Sequence, residues 1–187
     1  AVCGSTRFYR DQDEAELLLR AWQSYRGNAL LVIVPRHPER FEAVFQTALT
    51  LGFRTQKRSD GQAVAADTQV WIGDSMDELY AYYAAADAAF VGGSLVDSGC
   101  QNIIEPIACG LPTVFGFSTY NFEQACRSAT EAGAAVQVRD ADEWRKITEQ
   151  WLSDDRLRRQ VSDCAEGFIR RHRGASETIA SLIAEAV

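Results

Sequence analysis

Short apolar runs alternate with longer amphipathic segments along almost all of the 187 residues, and this alternation limits the fold more than any other feature. The apolar runs indicate strands at 1–4, 29–34, 69–72, 88–91, 113–115 and 135–138, and a further short strand is expected at 53–57, which makes it the third along the chain. Between them, apolar residues recur at the spacing of one helix face, over 14–25, 38–51, 75–86, 102–109 and 121–132. This order predicts an α/β fold, with a Rossmann-like parallel sheet and helices on both of its faces.

Residues that start and stop helices support these boundaries. Asp13 precedes the first helix, Pro38 suits the first position of the second, and Gly52 suits its end. Beyond the last strand, a helical carboxy-terminal tail is predicted from segments at 142–152, 155–171 and 175–186. Because the first residue is not Met and the chain begins as if a strand were already in progress, we expect one domain, 1–187, of a longer protein.

The charge and cysteine content exclude several classes of protein. Acidic residues outnumber basic ones by 26 to 19, which gives a formal net charge of −7. A negative surface disfavours non-specific binding to nucleic acid and docking onto anionic lipid. Since no run approaches the ~20 apolar residues that span a bilayer, we expect neither a nucleic-acid partner nor a membrane span. The five cysteines form no CxxC pair, which argues against a disulfide framework or a zinc site and favours reduced thiols.

The loop after the fifth predicted strand carries the strongest functional pattern, Gly92, Gly93 and Ser94. Ligands of α/β folds bind at the carboxyl ends of the strands, and glycines let backbone N–H groups approach a phosphate closely. The next helix, with Asn102 and Glu105, adds an N-terminus that suits an anion, and Glu105 would accept hydrogen bonds from two ribose hydroxyls. The alternative is a tight turn in which Glu105 caps the helix. The pattern is neither GxGxxG nor a P-loop.

Two loops at the same edge of the sheet carry hydroxyls and cations. Ser5, Thr6 and Arg7 follow the first strand, where they suit an anionic group or form a Ser/Thr turn. Arg36 and His37 follow the second strand, and the proline after His37 holds that residue extended. They would contact a base or a phosphate; alternatively, His37 caps the helix and Arg36 is a solvated charge.

The loops after the fourth and sixth strands are less specific. After the fourth, Gly73 and Met76 flank Asp74 and Ser75, either of which suits a helix N-cap. A backbone contact to a base is the alternative for this loop. After the sixth strand, Asn121 would cap the next helix or face the ligand.

The sequence lacks the motifs of metal and nucleophile chemistry. His37 and His172 lie 135 positions apart, and neither belongs to an HExxH pattern. The carboxylates show no DxD spacing at a strand end, and no G-x-S-x-G elbow presents a serine nucleophile. We therefore expect no metal and no cofactor.

Together, and in this order, these segments resemble the carboxy-terminal half of the Kdo (3-deoxy-D-manno-octulosonic acid) transferases, which have the glycosyltransferase-B fold. The resemblance covers nearly the whole chain, through 4–7, 35–41, 73–76, 78–79, 86–96, 102, 105–106, 110–113 and 121–122. The chain departs from the family at Asp97, Cys100 and Gln101, where the family usually has proline, a second glycine and histidine.

The resemblance implies a donor-binding domain, one half of an enzyme that transfers Kdo from CMP-Kdo to a lipid A precursor in lipopolysaccharide biosynthesis. The full-length enzyme would act at the cytoplasmic face of the inner membrane. An amino-terminal domain outside this chain would hold the acceptor, the membrane-binding surface and the general base. We therefore expect this fragment to be soluble, to bind the donor without turnover, and to contain no catalytic residue.

The expected donor-binding residues are Ser5, Thr6, Arg7, Arg36, His37, Gly73, Met76, Gly92, Gly93, Ser94, Asn102 and Glu105. In the implied arrangement the phosphate is held by Ser5, Thr6 and Arg7, together with Gly92, Gly93 and the N-terminus of the Asn102 helix, and Glu105 binds the ribose. Arg36 and His37, with the backbone from Gly73 to Met76, define the cytosine. Two other functions are open: a glycosyltransferase-B enzyme that uses a UDP or GDP sugar, and a non-catalytic α/β interaction domain.

Overall fold

The computed structural model of the protein describes residues 1–172, so the helix predicted at 175–186 lies outside the described residues. The strands are β1 (Val2–Thr6), β2 (Phe8–Tyr9), β3 (Gln12–Asp13), β4 (Leu31–Pro35), β5 (Thr55–Lys57), β6 (Val70–Ile72), β7 (Ala89–Val91), β8 (Thr113–Phe115) and β9 (Ala135–Gln137). The α-helices are α1 (Glu14–Trp22), α2 (Phe41–Thr50), α3 (Leu79–Ala84), α4 (Ile104–Ala108), α5 (Glu123–Glu131), α6 (Ala141–Ser153) and α7 (Asp155–His172). Short 3₁₀ helices cover Pro38–Arg40 and Arg58–Asp60.

Seven of the strands form one parallel sheet in the order β5-β6-β4-β1-β7-β8-β9. The predicted parallel sheet is therefore confirmed. β2 and β3 form a separate antiparallel pair that the sequence did not suggest. β1 lies in the middle of the sheet, between β4 and β7. The strands of the sheet that follow β1 up to β6 lie on the β4 side, and the strands from β7 onward lie on the other side. The sheet thus has a topological switch point beside β1, where folds of this class bind ligands.

Helices cover both faces of the sheet. On one face, Trp144 of α6 packs between Trp22 of α1 and Phe90 of β7, with ring centroids 5.5 Å and 6.0 Å apart. On the other face, Tyr83 of α3 is buried against Val2 of β1. Because successive strand residues point to opposite faces, strands covered on both sides need the near-continuous apolar runs that the sequence shows.

The start of α1 confirms one predicted boundary, and the start of α3 corrects another. Asp13 caps α1, since its Oδ1 accepts the N–H of Ala15 at 3.0 Å. The prediction that Asp74 or Ser75 caps a helix beginning at 75 is wrong, because α3 begins only at Leu79. Residue 77 has φ of +63°, a left-handed conformation that no α-helix contains, and the Ser75 hydroxyl donates to Glu78.

Asn121 and His37 occupy predicted cap regions without capping a helix through their side chains. α5 begins after Phe122, and Asn121 Nδ2 instead donates to the carbonyl oxygen of Ser98 at 3.3 Å. The capping prediction for Asn121 is therefore wrong. His37 lies at the N-cap position of the 3₁₀ helix that Pro38 begins, but its ring makes no capping hydrogen bond. None of the helices within residues 1–172 has the length and apolar character needed to cross a membrane.

Candidate functional site

Five of the predicted donor-binding residues border one cavity at the carboxyl end of the sheet. The cavity measures about 540 Å³ and opens beside the switch point, where the ends of β1 and β4 face α3 and α4. Its walls contain Ser5, Arg36, Met76, Asn102 and Glu105. Its position is the one at which α/β sheets of this topology bind ligands.

Glu105 is held in this cavity by Asn102, which lies just before its helix. The N–H of Ile104, at the start of α4, donates to Asn102 Oδ1 at 3.1 Å. Asn102 Nδ2 in turn donates to Glu105 Oε1 at 3.1 Å. Within residues 1–172 the second oxygen, Oε2, has no protein partner, so it is free to accept a hydrogen bond from a ligand. The alternative in which Glu105 caps the helix is wrong, because within the same residues its carboxylate accepts no backbone N–H and α4 has no side-chain cap.

Cationic side chains gather at the ends of β1 and β4. The backbone N–H of Arg36 donates to Thr6 O at 2.9 Å, and its exposed side chain lines the cavity. Arg7 Nη2 lies 3.4 Å from His37 Nε2, so these two side chains are neighbours at the sheet edge. Neither arginine forms an ion pair in the described part of the chain. Two unpaired guanidinium groups at one sheet edge suit an anion.

Ser5 and Gly92 bring the ends of β1 and β7 into very close contact. Ser5 is buried and has φ of +56°, a left-handed conformation that serine rarely adopts. A Cβ atom on Gly92 would lie 2.3 Å from the carbonyl oxygen of Ser5, so only glycine fits there. The N–H of Gly92 donates to Gly4 O at 2.8 Å and is therefore used by the sheet. Backbone strain of this kind is concentrated at ligand sites, and here it places Ser5 in the cavity wall.

A buried carboxylate, Glu14, occupies the place that we predicted for phosphate. Its oxygens accept the N–H groups of Gly93 at 2.7 Å, Ser94 at 3.1 Å and Leu95 at 2.9 Å, and that of Arg7 at 3.1 Å. The N–H groups of Gly93 and Ser94 therefore donate to the protein itself, and the assignment of these residues to the donor site stays a prediction. The glycine loop, residues 92–96, does surround an anion, but that anion belongs to the protein.

Burial has a large effect on this carboxyl group. Glu14 is 0% exposed. Loss of hydration disfavours the charged form and raises the pKa of Glu14 from 4.5 to about 7, although the four backbone N–H groups act in the opposite direction. No ion pair with a cation compensates this charge within the described residues. The sequence offered no signal for Glu14, since an acidic residue in the first turn of a helix is usually a simple partner of the helix dipole.

Ser94, Thr6 and Gly73 also belong to the framework rather than to the cavity wall. Ser94 is fully buried; its hydroxyl donates to Val91 O at 2.6 Å and accepts the N–H of Gly116 at 2.7 Å. It does not border the cavity, and its assignment to the site stays a prediction. Thr6 is 3% exposed, and its hydroxyl has no partner. The N–H of Gly73 donates to a sheet carbonyl at 2.8 Å.

Two tyrosines of α3 that were not assigned to the site also border the cavity. Tyr80 is 62% exposed and Tyr83 is buried, and both lie on the same wall as Met76. The spacing of three residues between Tyr80 and Tyr83, which places them on one side of α3, is the signal that could have found them. The described residues contain no cluster of three or more His, Cys, Asp or Glu side chains that could hold a metal ion.

Comparison with known proteins identifies the family. Residues 12–167 match the family described as glycosyl transferases group 1. The chain is 36% identical over 164 residues to the 3-deoxy-D-manno-octulosonic acid transferase of Bordetella pertussis, covering 87% of this chain and 38% of that protein. It is 34% identical over 174 residues to the transferase of the same name from Haemophilus influenzae, covering 91% of this chain and 41% of that protein. The chain thus spans about two-fifths of the length of these relatives.

A solved structure matches the domain over most of its length. The C-terminal CMP-Kdo binding domain of WaaA from Acinetobacter baumannii superposes with a TM-score of 0.83 and 33% identity, covering 90% of this chain and 87% of that one. Solved glycosyltransferases at 16–17% identity, among them WaaG with a TM-score of 0.60, share the fold alone. These matches confirm the resemblance found in the sequence: the chain belongs to the group 1 glycosyltransferases and, within them, to the Kdo transferase family, whose carboxy-terminal domain it represents.

Proposed function

We propose that this domain binds the CMP portion of CMP-Kdo, as the donor half of an enzyme that transfers Kdo to a lipid A precursor. The observation that carries the proposal is that Glu105 and Arg36 both border one cavity at the switch point of the sheet. Asn102 fixes the Glu105 carboxylate while leaving one oxygen unused, and Arg36 has no protein counter-charge within residues 1–172. A nucleoside monophosphate has the complementary groups, ribose hydroxyls and an anionic phosphate.

The proposed contacts follow the chemistry of each wall. Glu105 accepts hydrogen bonds from the ribose, and Arg36 contacts the phosphate with support from Arg7. The cytosine lies towards Met76 and Tyr80, whose side chains are exposed at the cavity. These contacts stabilise CMP as it leaves with its negative phosphate, which is electrostatic work that fixed donors perform well.

The acceptor side of the reaction belongs, in this proposal, to the remainder of a longer protein. Transfer requires a base that removes the proton of the acceptor hydroxyl, and we assign no residue of this chain to that role. The lipid A precursor, a site at the cytoplasmic face of the inner membrane, and contact with the membrane surface are assigned to the same missing part. The chain itself is expected to bind the donor without turning it over.

Titration calorimetry against CMP, UMP and GMP tests the donor class. We expect CMP to bind at least tenfold more tightly than the other two. Equal affinity for UMP or GMP would favour a transferase that uses a UDP or GDP sugar, and no binding of any of the three would favour an interaction domain. Either result would overturn the proposal.

A thermodynamic cycle that combines a variant of Glu105 with an analogue of CMP tests the role of this residue. Loss of hydrogen bonds to a charged group costs about 1.5–3 kcal/mol, so Glu105→Ala should weaken CMP binding by about ten- to hundredfold. The wild-type preference for CMP over its 2′-deoxy analogue should disappear in the same variant. Glu131→Gln, which changes an exposed carboxylate at the end of α5, is the matched control and should bind as the wild type does.

A further inference from the structure

Glu14 links three segments that meet at the donor site. It begins α1, it accepts the N–H of Arg7 beyond the end of β1, and it accepts three successive N–H groups of the glycine loop. Consecutive N–H groups that converge on one point form an anion-binding nest. A side-chain carboxylate that is 0% exposed fills this nest, about 80 residues away from it in sequence.

The segments that Glu14 holds also carry the ligand-binding groups. Arg7 is one of the two unpaired arginines at the sheet edge. The glycine loop is tied to the cavity because the N–H of Gln101 donates to Gly92 O at 3.0 Å, directly before Asn102. A shift of the glycine loop would therefore displace both the guanidinium group of Arg7 and Asn102, which orients Glu105.

We propose that Glu14 is a positioning residue of the donor site: its carboxylate fills the glycine loop in place of a bound anion and thereby sets the positions of Arg7 and Asn102. Glu14 does not touch the donor in this scheme. The inference rests on the proposed function, because its binding tests use CMP as the ligand of the site.

The groups that face Glu14 do not titrate with it. Cys3 of β1 and Cys100 beyond the glycine loop both interact with its charge. Burial raises the pKa of Cys3, and a hydrogen bond with Cys126 together with burial raises that of Cys100, so both thiols are neutral near pH 7. The neighbouring carboxylate of Asp13 is held in an ion pair with an arginine.

Calorimetry with CMP separates a positioning role from a role in folding alone. Glu14→Gln keeps the size of the side chain but removes the charge and places two amide donors among N–H groups that need acceptors. At a temperature at which near-ultraviolet circular dichroism shows the variant to be folded, we expect its Kd for CMP to rise at least tenfold. Glu16→Gln makes the same change on a partly exposed position of α1 and should keep Kd within twofold. A folded Glu14→Gln protein with the wild-type Kd overturns the proposal.

A second measurement needs no variant and no ligand. Since burial raises the pKa of Glu14 to about 7, the NMR amide signals of the glycine loop should titrate together with a midpoint near that pH. If Glu14 positions the site, the amide signals of Arg7 and Asn102 follow the same midpoint. Loop signals that titrate while those two do not would overturn the proposal. A wild-type protein that shows the shared midpoint but binds no CMP would overturn the proposed function alone.

The methyl ester of CMP connects the titration to binding. It is a phosphodiester, so it lacks the second phosphate ionisation near pH 6 that complicates CMP itself. Its affinity should fall at least fivefold as the pH falls through the midpoint of the loop amides, and this dependence should be absent in Glu14→Gln. A dependence that persists in Glu14→Gln does not come from Glu14 and overturns the proposal.

Discussion

The buried carboxyl group of Glu14 predicts that the domain loses stability as the pH rises. Its pKa is about 7 in the folded protein, against 4.5 for an ordinary glutamate. A group whose pKa is higher in the folded state binds its proton more tightly there. Its contribution to stability is therefore complete below about pH 4.5 and is lost as the pH rises through about 7. At ~1.36 kcal/mol for each pH unit, the difference between the two pKa values corresponds to about 3 kcal/mol of unfolding free energy.

Urea unfolding of the wild type and of Glu14→Gln at pH 5, 6, 7 and 8 measures this effect. The difference in unfolding free energy between the two proteins should change by about 2.5 kcal/mol over this range, in favour of the variant at high pH. Glu42, Glu78 and Glu143 have lowered pKa values because of hydrogen bonds to neighbouring side chains, and their opposite dependence on pH cancels in the difference. Glu16→Gln should run parallel to the wild type. A difference that is constant to within about 0.5 kcal/mol would show that the four N–H groups compensate fully for burial, and the reasoning would fail.

Four further substitutions test the packing and capping of the domain by urea unfolding at constant pH. Gly92→Ala should cost at least about 2 kcal/mol and abolish CMP binding, because the new Cβ would lie 2.3 Å from a backbone oxygen that cannot move aside. Gly167→Ala, inside α7 with no neighbour closer than 3.6 Å, should instead stabilise by up to about 1 kcal/mol, and a destabilised variant would contradict the helix packing described here. Trp144→Ala should cost about 3–5 kcal/mol, since it empties a 1% exposed position between two aromatic rings. Asp140→Ala should cost about 1 kcal/mol through loss of the cap of α6, and no change would show that the cap bond is not formed in solution.

The parallel sheet could be predicted because its strands have a sequence signal of their own. A strand that is covered on both faces must be apolar at every position, and β4 and β7 are short runs of that kind bounded by turn residues. The stop at Gly52 was equally local, since its φ of +88° favours glycine after a helix. Predictions succeeded where the residues that determine a strand or a helix end lie within a few positions of it.

The errors in helix starts and hydrogen-bond partners arose mainly where a side chain bonds to a part of the chain that is distant in sequence. Asparagine is a good helix cap, but the side-chain amide of Asn121 donates instead to the carbonyl oxygen of Ser98, which is close only in the folded state. Residue 77 has a left-handed conformation that delays the start of α3, and nothing in the surrounding sequence indicates it. The partners of Glu14 lie 79–81 residues away on the glycine loop, so no periodicity or spacing could connect them.

Glu14 explains why the glycine loop looked like a phosphate site and yet does not offer its N–H groups to a phosphate. The same geometry that binds a phosphate binds a carboxylate, and a carboxylate supplied by α1 is present whether or not the donor is bound. The charged form of this group costs stability, as its raised pKa shows. Removal of the carboxylate would nevertheless leave four backbone N–H groups without an acceptor, which is itself destabilising. The glycine loop and its internal anion therefore form one unit, and the conformation of the loop does not depend on a bound donor.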